Sequence, residues 1–226
     1  MKAMPLTILT GPVAPLGDTD RLSGIAKTPV TAPLWLGAEG FAGDAQADRR
    51  VHGGIEKAVH HYPFDHYADW RSDLGDPPIL DHAGAFGENI STTGMTEENV
   101  AVGDVFQLGD ALVQVSQGRQ PCWKLNYRFG VNDMARRVQN TGRTGWYYRV
   151  LQPGMVRVGD DLLRIDRLAP DWTLRRLWHV MYVDRLNLDL LAEIAALDVL
   201  ADGWRRYARR RLESGRVEDW RPRLEG

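Results

Sequence analysis

The stretch Leu112-Val113-Gln114-Val115-Ser116-Gln117-Gly118-Arg119-Gln120-Pro121-Cys122-Trp123-Lys124-Leu125 reads as a strand, a tight turn, and then the chain's single cysteine in a basic setting. Val113 and Val115 alternate with Gln114 and Ser116, the period of a half-buried strand with its polar face toward solvent. Gly118 permits a sharp reversal, and Pro121 suits the first turn of a short helix, where its missing N–H costs nothing. Cys122 is then expected near a helix N-terminus with Arg119 and Lys124 close by, a setting that favours thiolate over thiol. A lone cysteine is also commonly a small buried hydrophobe. The residues alone leave both readings open.

The bulk numbers bound the rest. A chain of 226 residues exceeds the usual single-domain size, so one large domain, or a large and a small one, is expected. Hydrophobic content of 43% and charged content of 26% suit a globular protein in water. The 28 Lys and Arg against 30 Asp and Glu leave a net charge of -2, which demands no nucleic-acid partner. One cysteine excludes an internal disulfide framework and fits a reducing compartment. The opening run Met1 to Gly11 lacks a signal-length apolar core, and no segment has the apolar length of a bilayer span. A cytoplasmic protein with no membrane partner is expected.

Outward from the central stretch, Gly109-Asp110 makes the hairpin that enters it. Val100-Ala101-Val102-Gly103-Asp104-Val105-Phe106-Gln107-Leu108 is echoed by Val156-Arg157-Val158-Gly159-Asp160-Asp161-Leu162-Leu163-Arg164-Ile165. Both read as strand entry, Gly-Asp turn, strand, which points to a mixed barrel or curved sheet. Upstream, Leu6 to Leu9 reads as a first strand, and residues 13–33 are broken by proline and glycine. Gly43 to Gly54 forms a polar loop longer than a turn requires. After Gly54 the pattern turns helical, with Phe64, Tyr67 and Ala68 at helix spacing before the stop at Asp76-Pro77-Pro78. Downstream, residues 132–139 suggest a short helix and 142–150 a strand. Beyond Asp166 helical periodicity takes over, in three helices over Leu174 to Met181, Leu186 to Leu197 and Trp204 to Leu212, with Thr173 as an N-cap. The expected fold is mixed α/β, mainly β. A barrel-like domain spans 1–168, and a small three-helix domain spans 169–226 and docks on it.

Several constellations carry chemistry. His52, His60, His61 and His66 with Asp65 and Asp69 suggest a metal cluster, but no HExxH spacing supports it, and helix-surface histidines are expected instead. His52-Gly53-Gly54 followed by Lys57 offers backbone N–H groups and a cation to an anion, or an ordinary turn before a helix. Arg205, Arg206, Arg209, Arg210, Arg211 and Arg216 suggest a nucleic-acid or acidic-partner surface, or, as the favoured reading, a solvated helix face beside Glu213, Glu218 and Asp219. No GxSxG elbow supports a serine hydrolase.

Six motifs in order resemble those of a MOSC-domain protein. They are Gly43-Asp44-x-Gln46, Val51-His52-Gly53-Gly54-x-x-Lys57-Ala58-Val59, Phe86-Gly87-Glu88-Asn89, Val102-Gly103-Asp104, Val115-Ser116-Gln117-x-Arg119-x-Pro121-Cys122-x-Lys124-Leu125 and Thr141-Gly142-x-x-Gly145-Trp146. The resemblance is nearest to the YiiM subfamily, whose members carry a three-helix C-terminal domain. It implies a β-barrel-like domain that binds the molybdenum cofactor, a molybdopterin, with Cys122 as the thiolate ligand to the metal and the catalytic centre. It further implies reduction of N-hydroxylated compounds such as hydroxylaminopurines, with electrons from a separate flavoprotein reductase. Arg119, His52, Gly53, Gly54 and Lys57 would then bind the anionic cofactor, and Glu88, Asn89, Ser116 and Gln117 the pterin edge. Gly118 stands where the family often has proline. The alternative is a non-catalytic cofactor or sulfur carrier using a Cys122 persulfide. No nucleic-acid partner is expected, and oligomeric state stays open.

Overall fold

The computed structural model describes residues 1–2, 4–47 and 53–226. In chain order the strands are β1 (Met4–Thr10), β2 (Ala14–Pro15), β3 (Leu22–Ser23), β4 (Thr28–Pro29), β5 (Leu34–Gly37), β6 (Gly40–Phe41), β7 (Val59–His61), β8 (Ile90–Thr93), β9 (Asp104–Leu108), β10 (Ala111–Gly118), β11 (Trp146–Gln152), β12 (Gly154–Val156) and β13 (Leu162–Arg167). The α-helices are α1 (His66–Leu74), α2 (Lys124–Phe129), α3 (Met134–Thr141), α4 (Leu174–Tyr182), α5 (Leu188–Ala196), α6 (Asp202–Ser214) and α7 (Arg221–Leu224).

Eight strands form one sheet in the order β13-β9-β10-β11-β7-β8-β1-β4. Neighbours are antiparallel except β7 and β8, which run parallel. The sheet curls until its ends meet. Lys2, just before β1, bridges Leu163 of β13, and Arg164 N donates to Met1 O at 3.1 Å. These contacts cover part of the edge that β13 would otherwise present. The two copies of the sequence echo become adjacent strands, with Leu162 opposite Leu108 and Arg164 opposite Phe106. Gly103 takes φ +80° at the first Gly-Asp turn, as the turn chemistry requires.

The interior is apolar because alternate residues point inward. On β9, Phe106 and Leu108 are buried while Gln107 between them is exposed. On β10, Val113 and Val115 enter the core as expected, but the opposite face is not solvated: Gln114, Ser116 and Gln117 are buried too. A second layer covers that face. Arg149 donates to Gln114 Oε1 at 2.8 Å and to Glu56 Oε2 at 2.7 Å, and Ala201 N donates to Ser116 O at 2.8 Å. Gln114 and Ser116 are tolerated there because their side chains are bonded inside the layer.

Gly118 does not make a reversal. It is the last residue of β10, with no left-handed φ, and a Cβ on it would stand 3.3 Å from the Trp204 ring. The glycine makes room for the tryptophan of α6.

Residues 55–61 also depart from expectation. One 3-10 turn, Ile55–Lys57, precedes β7, so His60 and His61 lie on a buried strand and not on a helix surface. The helix begins only at His66 and stops at Gly75, whose φ of +76° closes its C-terminus. The C-terminal helices start as the sequence indicates: Thr173 Oγ1 accepts from Arg176 N at 3.1 Å, and Asn187 caps α5 in the same way. Each such cap is worth about 1 kcal/mol. Leu174, Leu177, Met181, Leu191, Ile194, Trp204 and Ala208 join the barrel residues in one continuous hydrophobic core. A second, aromatic core holds Tyr62, Tyr67, Trp70 and Phe86, with Tyr62 stacked on Phe86 at 3.9 Å.

The arginine run is not one solvated face. Arg211 is 0% exposed; it donates to Met181 O at 3.0 Å and to Glu218 at 2.6 Å. Among the described residues, no helix is long and apolar enough to cross a membrane.

Candidate functional site

A solvent-open cleft enclosing about 560 Å³ lies at one end of the barrel, and Cys122 is on its wall. Six segments build it. The end of β10 and the link to α2 supply Arg119, Cys122 and Lys124. The turn before β7 supplies Lys57, and β7 itself His60. Across the sheet, β11 supplies Tyr147, which is the register partner of His60. The turn ahead of β8 contributes Phe86, Gly87 and Asn89, and residues 23–27 and 44–47 form the opposite lip.

The lips close tightly because glycine allows it. A Cβ on Gly24 would fall 1.9 Å from Ala45 O, and one on Gly87 would fall 2.7 Å from the Ile25 side chain. Any other residue at Gly24 would force the lips apart.

The cleft is strongly cationic. Among the described residues, Lys27, Lys57, Arg119 and Lys124 line it against one carboxylate, Asp44. Lys27 Nζ is paired with Asp44, whose other oxygen accepts from Asn89 Nδ2 at 2.8 Å while Gly11 N donates to the first at 3.0 Å. Burial lowers the Lys27 pKa against the opposing pull of Asp44. Burial likewise lowers that of Lys57, and the nearby Cys122 sulfur works in the opposite direction.

Arg119 is 5% exposed. Its backbone N–H donates to Gly145 O at 3.0 Å, its Nη2 reaches Phe86 O at 3.4 Å and its guanidinium interacts with the Tyr147 side chain, but its Nη1 has no hydrogen-bond partner among the described residues. A buried guanidinium nitrogen left without an acceptor is costly unless a ligand completes it. The Gly145 carbonyl is itself placed by Glu97, whose Oε1 accepts from Gly145 N at 2.6 Å while Oε2 meets His66 Nε2 at 2.6 Å.

His60, 4% exposed, has no partner for Nε2 among the described residues, and its ring lies tilted at 35° to that of Tyr147 with centres 5.0 Å apart. Burial, reinforced by Arg119, pushes its pKa well below the ordinary imidazole value, so the ring is neutral. Burial raises the Tyr147 pKa, with Arg119 opposing it.

Of the residues expected at the site, Cys122, Arg119, Lys57 and Asn89 line the cleft. Asn89 is fully used within the protein: its Oδ1 accepts from His60 N at 3.0 Å, and its Nδ2 also reaches Leu9 O at 3.2 Å. Glu88 is turned away from the cleft. Its carboxylate accepts from Tyr67 Oη, Gly84 N and Phe86 N, and so shapes the turn that presents Phe86 and Gly87. Ser116 Oγ donates to Glu56 O at 2.6 Å and Tyr147 O at 3.1 Å, away from the cleft, and Gln117 is also off its lining. Gly53 and Gly54 are not on the lining either. Gly54, at φ +88°, opens the turn that delivers Lys57. His52 lies outside the described residues.

The histidines disperse. His61 bonds Tyr148 Oη and Thr92 Oγ1 inside the barrel, and His66 bonds Glu97. Among the described residues no three ligating side chains converge on a metal. Sequence reading missed Lys27, His60 and Tyr147 as cleft residues and gave Asp44 no role. Period-2 alternation over Val59 to His61 was the available signal for His60, though three residues are too few to carry it.

The chain matches the MOSC domain over residues 48–163 and the YiiM-like, 3-alpha helix domain over residues 172–215. It is 40% identical to protein YiiM of Escherichia coli over 226 residues, covering 98% of each chain. A protein named "Reductase" from Gibberella moniliformis is 41% identical over 193 residues, which is 85% of this chain and 34% of that one. The crystal structure of YiiM from Escherichia coli superposes with a TM-score of 0.85 at 35% identity, covering all of both chains. The match of barrel, helical appendage and cleft-bearing segments shows that the chain belongs to the MOSC-domain family, in the group whose barrel carries a YiiM-like three-helix domain.

Proposed function

We propose that the cleft binds the molybdenum cofactor with Cys122 as a metal ligand, and that the protein reduces N-hydroxylated compounds of the hydroxylaminopurine type. The observation that carries this reading is the unpartnered Nη1 of buried Arg119 in a cleft where Lys57 stands beside Cys122. A pterin phosphate would supply an acceptor for Arg119 Nη1, and a soft metal would suit the cysteine sulfur. Family membership and the reductase name of the fungal relative point the same way.

When bound, the cofactor would supply two-electron chemistry, converting R–NHOH with two electrons and two protons to R–NH2 and water. The electrons come from a separate flavoprotein reductase. The chain's own residues bind and orient. Arg119 and Lys57 hold the anionic cofactor, and Lys27 stays committed to Asp44, which fixes the lip. Neutral His60 presents Nε2 as an uncharged hydrogen-bonding group, so the cleft's positive charge remains on the lysines and the arginine.

The test is molybdenum and pterin content of protein purified from a cofactor-producing host, together with reduction of hydroxylaminopurine under a flavoprotein donor. Near-stoichiometric metal and pterin are expected. Cys122→Ala should abolish turnover, and Arg119→Gln should weaken pterin retention by roughly ten- to a hundred-fold, the scale of a lost charge-assisted hydrogen bond. Protein free of both metal and pterin, with a sulfur adduct on Cys122, would overturn this reading in favour of a sulfur carrier.

A further inference from the structure

We propose that Arg223, in the four-residue helix α7 at the C-terminus, is the positioning residue that fixes the conformation of the Cys122 loop. Its backbone carbonyl accepts from Trp123 N at 2.8 Å, and its Nη1 donates to Pro121 O. Those two groups belong to the peptide planes on either side of the Cys122 Cα. With both planes held, φ and ψ of Cys122 are fixed, and its sulfur is limited to the few staggered rotamers compatible with that backbone. One residue, 102 positions from Pro121 in sequence, therefore sets the direction in which the sulfur can point.

Arg223 is itself braced. Its Nη2 donates to Gln139 Oε1 at 2.5 Å, and Gln139 is buried on α3. The neighbouring Leu224 is buried, and its carbonyl accepts from Asn126 Nδ2 at 3.0 Å. Glu225 pairs with Arg136 at 2.5 Å, and Gly226 abuts the Trp123 ring. The segment leading into α7 is tied down by Glu218, which accepts from buried Arg211 at 2.6 Å and from Trp220 Nε1 at 3.1 Å. The C-terminal segment is thus a strap from the helical layer across to the cysteine loop.

The inference rests on Cys122 being the working group of the cleft, but its test reads the sulfur directly, because the chain has one cysteine. Alkylation by iodoacetamide of full-length protein, made in a host that produces no molybdenum cofactor, is followed across pH, beside thermal unfolding. Arg223→Ala should raise the alkaline plateau rate about five-fold, as expected when one net hydrogen bond of local order is lost. Its melting temperature should stay within a few degrees of the parent, which separates local loosening from global destabilisation. Arg223→Lys, with a single donor group for two acceptors, should restore the rate only in part. Arg221→Ala, on the same helix but exposed and paired with Asp219, should react like the parent. Should Arg223→Ala fail to fold, Gln139→Met removes only the brace and is expected to shift the rate in the same direction, by less.

Unchanged alkylation in the variant that folds, or an equal change in Arg221→Ala, would overturn the assignment. Molybdenum content separates it from the functional reading. Faster alkylation in Arg223→Ala with a parent that takes up no metal upholds the strap and defeats the cofactor. Unchanged alkylation of the cofactor-free protein, when protein from a cofactor-producing host holds molybdenum, does the reverse.

Discussion

His61 shows how much a single buried group controls. It is enclosed in the barrel between Tyr148 Oη at 3.0 Å and Thr92 Oγ1 at 2.9 Å, and burial lowers its pKa from 6.5 to about 3. The folded value lies below the unfolded one, so the unfolded chain takes up a proton that the native protein refuses. This contribution is intact above pH 6.5 and is lost as pH falls toward 3, by about 1.4 kcal/mol per pH unit. His61→Gln keeps hydrogen-bonding capacity and removes the titration. Urea unfolding at pH 7 and pH 5.5 should therefore show a larger loss of stability for the parent than for the variant, and equal losses would disprove the account. Asp104 is the acidic counterpart: wholly buried, it is held by a two-point contact from Arg167 and accepts from Ala101 N. Asp104→Ala strands those donors and should cost about 3–5 kcal/mol, read as a shift of the denaturant midpoint. At this scale the sequence was legible where residue type and motif coincide, as at Cys122, Arg119 and Lys57. It was not legible for Glu88 or Ser116, because motif membership does not say which way a side chain points. The carboxylate of Glu88 serves a turn, and the hydroxyl of Ser116 serves two carbonyls.

The strand β10 and its loop show what an element inherits from its neighbours. Alternation along residues 111–116 located the strand and its core face. It gave no warning that α6 and the turn before β7 would cover the other face, since that cover comes from residues far away in the chain. Gly118 illustrates the same limit: a glycine before a loop suggests a turn, yet its use here is to seat Trp204. A methyl group at 118 would press on that ring at 3.3 Å, so Gly118→Ala should lower stability by about 1–3 kcal/mol. Trp204→Phe removes the part of the ring that is struck. The double variant should then be less destabilised than the sum of the two single changes, and strict additivity in thermal unfolding would show that the two residues do not share this contact. The helices of the C-terminal region were legible because each carries its own signal, as Thr173 and Asn187 do at their caps. Helix α7 was not, for four residues are too few for a period.

On the scale of the whole molecule, the hydrophobic core is continuous from the barrel into the helices. Val113, Val115 and Phe106 of the sheet share one cluster with Leu177, Met181, Leu191 and Trp204. A helical layer whose buried side chains are also the barrel's packing cannot be removed without exposing both, so the protein should unfold in a single calorimetric transition. The strap that ends in α7 extends the same dependence to the cleft, since the helices carry Arg211 and Arg211 anchors the segment that reaches the Cys122 loop. Leu177→Ala makes the argument measurable. Leu177 is fully buried on α4, and its truncation should cost about 2–5 kcal/mol through lost burial and a residual cavity. If barrel and helices form one cooperative unit, amide hydrogen exchange should accelerate by the same factor at Val113 and Val115 as at the amides of α4. Loss of protection confined to residues 174–214 would mean that the helices open independently of the barrel. In that case the strap would loosen before the sheet does, and Cys122 alkylation should rise in Leu177→Ala while β10 stays protected.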